Sequence, residues 1–274
     1  MTETAAKDRI ADAFAALKAR GRKALIPFIT AGDPDIASTL RIALALDRAG
    51  ADLIELGVPF SDPVAEGPVI QAADLRALSN GLRTDDVFGA VKALRARTQI
   101  PLLLMLYLNC VYVYGKERFF ARCAEMGVDG VIIPDMPFEE KDEVAQFAAR
   151  AGVRVISLVA PTSQARIRII AAQAEGFLYC VSSRGVTGVR AQFDTDFDSY
   201  FAQVRAASRV PTAVGFGIST PEQAAALSRY ADGVIVGSAI VRIIGAAPSA
   251  DAAAERAGAF AAALRAALDE ATPR

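Results

Sequence analysis

Eight short apolar runs recur along this chain, separated by stretches in which apolar positions return every three or four residues. The runs read ALIPFI (24–29), AGADLIEL (49–56), PLLLML (101–106), MGVDGVIIPD (126–135), AGVRVISL (151–158), FLYCV (177–181), PTAVGF (211–216) and YADGVIVG (230–237). They are β-branched or Leu-rich and continuous rather than alternating, the pattern of parallel strands buried on both faces. Between them the helical period predicts helices over 37–49, 84–97, 116–126, 139–151, 164–174, 197–207, 221–230 and 250–268. Thr220 followed by Pro221 is a helix start, with a capping hydroxyl before a first-turn proline. Eightfold strand–helix alternation predicts an α/β protein, a (β/α)8 TIM barrel, over a doubly wound sheet. No linker interrupts the pattern, so residues 1–274 are expected to form a single domain. The opening segment, MTETAAKDRIADAFAALKARG, adds an extra amphipathic N-terminal helix.

Composition narrows the function. The net charge is -1 and no basic stripe stands out, so nucleic acid is not an expected partner. The arginines lie mostly in Ala-rich helical segments and read as solvated helix faces. The first residues lack the apolar core of a signal peptide, and runs such as 100–108 are too short to span a bilayer. A soluble, cytoplasmic protein without membrane contact is expected. The 3 cysteines, Cys110, Cys123 and Cys180, form no CxxC pair and read as buried thiols. There are 0 histidines, which removes the commonest acid–base group and the commonest metal ligand; no metal site is expected. Lys7, Lys18, Lys23, Lys92, Lys116 and Lys141 all fall away from strand C-termini, leaving no evident Schiff-base nucleophile. Proton transfer then falls to Asp, Glu, Lys, Tyr or Cys.

The segment LIELGVPFSDPVAEGP (53–68) supplies carboxyl groups. The apolar Leu53-Ile54 runs into Glu55, and the turn-rich loop beyond it carries Asp62 and Glu66. A carboxylate at the end of a buried strand costs desolvation energy, and parallel α/β proteins place their sites at strand C-termini. Three Gly/Ser loops follow the last predicted strands: 182–188, 215–219 and 237–239. Gly188, Gly217, Gly237 and Ser238 are candidate donors to a phosphate, since glycine lets backbone N–H groups approach an anion closely. The polar, Gly-containing segment 184–194 reads as a lid, with Thr187 placed to bond Asp62 or Glu66 on closing.

Co-linear blocks ELGVPFSDP (55–63), PFITAGDP (27–34), GVTG (185–188), GFGIS (215–219) and GSAIV (237–241) resemble the tryptophan synthase alpha subunit from about residue 24 to residue 246. The resemblance implies cleavage of indole-3-glycerol phosphate to indole and glyceraldehyde 3-phosphate. It places the family's catalytic glutamate on Glu55 and its second catalytic carboxylate, an aspartate in SDPxADGP, on Glu66. Here the chain departs from the family, because Glu66 carries one methylene more. The resemblance further implies Phe28, Tyr107, Tyr179, Phe216 and Ile235 around the indole, and Gly188, Gly217, Gly237 and Ser238 at the phosphate. It implies no cofactor in this chain. The resemblance implies a beta-subunit partner, which holds pyridoxal phosphate, in an alpha-beta-beta-alpha heterotetramer. The implied contact face comprises Asp62, Pro63, Asn109, Tyr112, Asp135, Met136 and Pro137, with Asp135 read equally as a loop anchor. Three alternatives stay open on sequence: another phosphosugar barrel enzyme, a regulatory alpha-like subunit suggested by Glu66, and a stand-alone lyase releasing indole.

Overall fold

The computed structural model describes residues 8–161, 163–182, 196–215 and 217–271. Eight strands form a closed barrel in chain order: β1 Ala24–Thr30, β2 Ile54–Gly57, β3 Leu102–Met105, β4 Gly130–Ile132, β5 Arg154–Val159, β6 Leu178–Val181, β7 Thr212–Gly215 and β8 Gly233–Val236. Every neighbouring pair is parallel, and β1 pairs with β8, which closes the sheet and rules out the doubly wound alternative.

The surrounding helices are α1 Arg9–Ala19, α2 Ile36–Arg48, α3 Pro68–Ser79, α4 Thr84–Arg95, α5 Leu108–Tyr114, α6 Lys116–Met126, α7 Asp142–Ala151, α8 Gln164–Ala172, α9 Phe197–Ala207, α10 Pro221–Ser228, α11 Ser238–Gly245 and α12 Ala250–Ala271. Each expected helix is present. The 139–151 segment divides into a 3-10 turn at Phe138–Glu140 followed by α7. Helices α3, α5 and α11 are additions to the sequence reading, and each follows directly on the C-terminal end of a strand or its loop. Thr220 caps α10 by accepting the Gln223 N–H, with Pro221 in the first turn, as expected.

Strand residues alternate between two apolar compartments. Ala24, Ile26, Leu53, Leu103, Ile132, Ile156, Phe177, Tyr179, Ala213 and Ile235 fill the barrel. Their neighbours, including Leu25, Ile54, Leu102, Leu104, Val131, Val155, Cys180 and Val234, pack outward against the helices. This is why the runs carry no polar alternation: both sides of each strand meet apolar side chains. Helix α1 plugs the N-terminal end, with Ile10, Phe14 and Leu17 in the inner cluster and the Phe14 ring 5.7 Å from Phe177.

The N-terminal end is also clasped by charge. Asp129 accepts the Leu102 N–H at 2.8 Å and pairs with Arg95 at 2.7 Å and Arg9 at 3.0 Å. Arg265 of α12, only 6% exposed, bonds the Lys23 carbonyl at 2.8 Å, Asp52 at 3.2 Å and Asp269 at 2.6 Å. Arg95 and Arg265 therefore depart from the expectation of solvated helix faces. With one end plugged and clasped, the open C-terminal end is left for the loops.

Candidate active site

Glu55 lies inside β2, in register with Phe28 of β1 and Leu103 of β3, rather than at the strand's last residue. Two-residue alternation from Leu53 aims it into the barrel. It is 0% exposed, and neither carboxylate oxygen has a hydrogen-bond partner among the described residues. Burial alone pushes its carboxyl well above the ordinary range, which favours the neutral acid.

The cavity it faces is lined by Phe28, Glu66, Ile70, Met105, Tyr179, Gly217, Ile218, Ile235, Gly237 and Ser238 as well as Glu55 itself. Two close approaches explain two glycines. A Cβ on Gly57 would lie 2.5 Å from the Phe28 ring, and one on Gly215 would lie 2.6 Å from the Tyr179 hydroxyl. Gly217 has φ 83°, a left-handed conformation that side chains rarely adopt. Gly237 and Ser238 open α11 on the cavity wall, placing a helix N-terminus there. The cavity thus has an apolar region of Phe28, Ile70, Met105, Ile218 and Ile235, two carboxyl groups, and a glycine–serine corner.

Glu66 returns from the loop after β2, one residue before Gly67, the N-cap of α3. It is buried, and burial, aided by the charge of Asp135, raises its carboxyl to about 7. Tyr107 donates its hydroxyl to Glu66 Oε2 and accepts the Ala65 N–H at 2.9 Å. Gln71 of α3 donates to the Glu66 carbonyl at 2.8 Å. The Phe60 ring stacks on Tyr107 with centroids 4.9 Å apart, so both limbs of the loop bear on one tyrosine.

Of the residues expected around a substrate, Phe28, Tyr179, Gly217, Ile235, Gly237 and Ser238 line the cavity with both glutamates. Tyr107 does not. Its buried hydroxyl is engaged with Glu66 and Ala65, where it holds the loop. Thr187, Gly188 and Phe216, together with the 184–194 lid, lie outside the described residues. Sequence reasoning missed Ile70, Met105 and Ile218. Met105 was within reach, because it ends β3 on the same inward parity as Leu103.

The expected contact residues occupy one rim. Asp62, Asn109, Tyr112, Asp135 and Pro137 are exposed and Pro63 is half-buried, all in the loops after β2, β3 and β4 or on α5. Asp135 accepts the Leu108 N–H at 2.9 Å, which makes it an anchor between two of those loops. Val64, 71% exposed, and Val113, 81% exposed, add uncovered apolar surface to this rim. Cys123 and Cys180 are buried as expected, and Cys110 is half-buried; all are free thiols.

A closed parallel barrel with an unpaired carboxyl group at its centre, a second carboxyl on the mouth loop and glycine turns after the last strands defines a (β/α)8-barrel enzyme of the acid–base type. The family model described as tryptophan synthase alpha chain matches residues 14–269. The tryptophan synthase alpha chain of Thermoanaerobacter sp. (strain X514) is 48% identical over 237 residues, covering 86% of this chain and 90% of the relative. The crystal structure of the Legionella pneumophila tryptophan synthase alpha chain superimposes with a TM-score of 0.86 at 40% identity, covering 97% of this chain and 98% of that one. A chain of the Pyrococcus furiosus tryptophan synthase complex does so with a TM-score of 0.81 at 37% identity, covering 89% and 98%. The chain belongs to the tryptophan synthase alpha chain family.

Proposed function

We propose that this chain cleaves indole-3-glycerol phosphate into indole and glyceraldehyde 3-phosphate, as the alpha subunit of a tryptophan synthase, with Glu55 and Glu66 as its working carboxyls. The observation that carries this reading is the orphaned Glu55. Both its oxygens are buried without a partner among the described residues, facing a cavity whose other walls are largely apolar. A group kept in so costly a setting has a use in the substrate complex.

The chemistry requires an acid first. Breaking the bond between indole C3 and glycerol C3′ directly would leave electrons on a poor carbanion. Neutral Glu55 protonates ring C3, giving an indolenine-type cation. The carboxylate so formed then takes the proton of the C3′ hydroxyl. As the C3′–O bond becomes a carbonyl, the C3–C3′ bond breaks and its electrons restore the indole ring. Glu55 ends protonated, as it began. Ionised Glu66 accepts the indole N1–H and stabilises the positive charge that builds there. The apolar wall of Phe28, Ile70, Met105, Ile218 and Ile235 suits the indole plane. Gly217, Gly237 and Ser238 suit the phosphate at the start of α11.

The partner is a beta subunit, met by the rim of loops after β2, β3 and β4. Pyridoxal phosphate belongs to that partner, and this chain takes no cofactor of its own. No described helix is long and apolar enough to cross a membrane, and a cytoplasmic setting fits this reading.

The test is turnover of indole-3-glycerol phosphate by the purified chain, alone and with a cognate beta subunit, with Glu55→Gln and Glu66→Asp beside the wild type. Indole formation that rises with the partner and is lost in Glu55→Gln supports the reading. Unchanged indole formation in Glu55→Gln would overturn the assignment of the acid. A faster Glu66→Asp would show that the additional methylene costs rate.

A further inference from the structure

Helix α11 presents its first turn to the cavity, through Ser238 and the preceding Gly237, while its far end meets a guanidinium. Gly245 is the last residue of α11. A Cβ there would lie 2.8 Å from Arg76 Nη2, 3.3 Å from Cζ and 3.5 Å from Nη1, so the guanidinium rests directly against the helix end. Alanine is the better helix former, and no left-handed backbone requires glycine at this position. What the missing side chain permits is the close approach of Arg76.

The guanidinium is held in that place. Arg76 projects from α3 and donates Nε at 2.8 Å and Nη2 at 2.7 Å to the two oxygens of Asp33, just beyond β1. Asp33 is only 2% exposed, and a two-point pairing fixes the plane of the guanidinium as a single bond would not. The loop after β1 does not rely on this pair alone for its contact with α3, because Asn80 at the end of α3 donates to the Pro34 carbonyl at 2.7 Å. Between β1, α3 and α11 lies a separate apolar cluster of Phe28, Ile70, Ala73 and Val241. Apolar packing is non-directional, whereas the anchored guanidinium is a directional restraint on the end of α11.

We propose that Arg76 is a positioning residue for the substrate phosphate: it fixes α11 along its axis and so sets where the N–H groups of Gly237 and Ser238 meet the anion. The 8 residues of α11 make one short rod, about 12 Å long, so a shift at Gly245 is carried to Ser238. A cation at the C-terminal end also has the favourable sign for the helix dipole. The effect falls on binding and not on the chemical step. Glu66 is held independently, by Gln71 from the first turn of α3 and by Tyr107, and both holds survive the loss of Arg76.

The inference rests on phosphate meeting the start of α11, so the first arm of the test follows that contact directly. Inorganic phosphate is titrated into the full chain while the Gly237 and Ser238 amides are followed by 15N NMR, in wild type, Arg76→Ala and Gly245→Val. Gly245→Val keeps Arg76 and Asp33 and only denies the guanidinium its seat on α11. Phosphate affinity is expected to fall roughly three- to tenfold in both variants, the worth of one hydrogen bond moved out of good geometry. In turnover of indole-3-glycerol phosphate by the same proteins, KM is expected to rise by a similar factor with kcat little changed, the mark of lost uniform binding. Wild-type affinity and KM in folded Arg76→Ala overturn the positioning role. A fall in kcat at unchanged KM would make Arg76 a general support of α3 and overturns it equally. Should Arg76→Ala fail to fold, Gly245→Val decides alone. Wild-type Gly237 and Ser238 amides that ignore phosphate would strike the phosphate site itself, and the proposal with it.

Discussion

The Tyr107 hydroxyl joins the two neighbouring residues of the mouth loop, donating to Glu66 Oε2 while accepting the Ala65 N–H at 2.9 Å. A side chain one methylene longer than the family's aspartate needs a fixed stop, and this hydroxyl provides one. Tyr107→Phe keeps the ring stacked near Phe60 and removes only the stop. The expected result is a fall in kcat of roughly ten- to a hundredfold, since displacement near 1 Å costs on the order of a hundredfold. Stability should drop by only about 1 kcal/mol, the usual worth of such a bond. Steady-state kinetics and urea unfolding on the same preparation separate the two.

Glu66 sets the acid side of the pH profile. In the proposed mechanism, turnover requires Glu66 ionised and Glu55 protonated. Burial raises Glu66 to about 7, so kcat should climb as pH rises through that value. It should fall again at higher pH as Glu55, held well above the ordinary carboxyl range, gives up its proton. A profile flat from pH 5 to 8 would contradict the role of Glu66.

The raised Glu66 carboxyl has the opposite consequence for stability. Between 4.5 and about 7 the folded protein keeps a proton on Glu66 that the unfolded chain has released. The folded state binds more protons there, so stability contributed by this group falls as pH rises through the window. Glu66→Gln has no such dependence. Thermal unfolding should therefore show the variant gaining on the wild type from pH 4.5 to 7. The gain should reach about 3 kcal/mol, because each tenfold difference in proton affinity between the folded and unfolded states is worth about 1.4 kcal/mol.

Glu55 trades stability for chemistry. Its two oxygens, without a partner among the described residues, sit among apolar neighbours of the barrel. Glu55→Leu should abolish indole formation and raise Tm by about 2–6 °C, the equivalent of relieving about 1–2 kcal/mol in a domain of this size. Calorimetry that showed no gain would mean that the wild-type carboxyl is not as costly as its surroundings imply.

The barrel was legible in the sequence because its strands are apolar on both faces and its helices keep a clean period. What escaped has local causes. Helix α5, LNCVYVY, is rich in β-branched and aromatic residues, which favour strands. Helix α3 starts from Gly67 without a side-chain cap, and Asp74 breaks its apolar stripe on the buried face. Glu55 stood out because a charge inside an apolar run is costly wherever it occurs. Ile70, Met105 and Ile218 carry no such mark, since a cavity wall and a core use the same side chains. Arg95 and Arg265 read as surface because nothing in a helical period announces that Asp129 and Asp52 wait at the strand starts.

Asp129 tests that clasp without touching the site. It is buried beneath Arg95 and Arg9 and also accepts the Leu102 N–H. Asp129→Ala leaves Arg95, itself only 13% exposed, without its counter-charge. Removing one member of a buried pair typically costs about 3–5 kcal/mol. Unfolding should register that loss while KM for the folded enzyme stays unchanged, because the clasp closes the end of the barrel opposite the cavity.

The rim of the mouth offers the test of the partner face. Val113 on α5 is 81% exposed and Val64 in the Glu66 loop is 71% exposed, beside Tyr112 at 45%. Apolar surface of this kind is stabilised by being covered. The two valines sit on elements that reach Glu66: Val64 two residues before it, and α5 through Tyr107 at its N-cap. A beta subunit that covers them would press on the same loop that carries the second carboxyl. Val113→Asp places a charge in that contact while leaving the Tyr107 hydroxyl in place. The expected outcome is beta-subunit affinity weakened at least tenfold by calorimetric titration, with indole formation by the free chain little altered and the rise on adding partner reduced in step with occupancy. Normal affinity in Val113→Asp would place the partner elsewhere on the barrel.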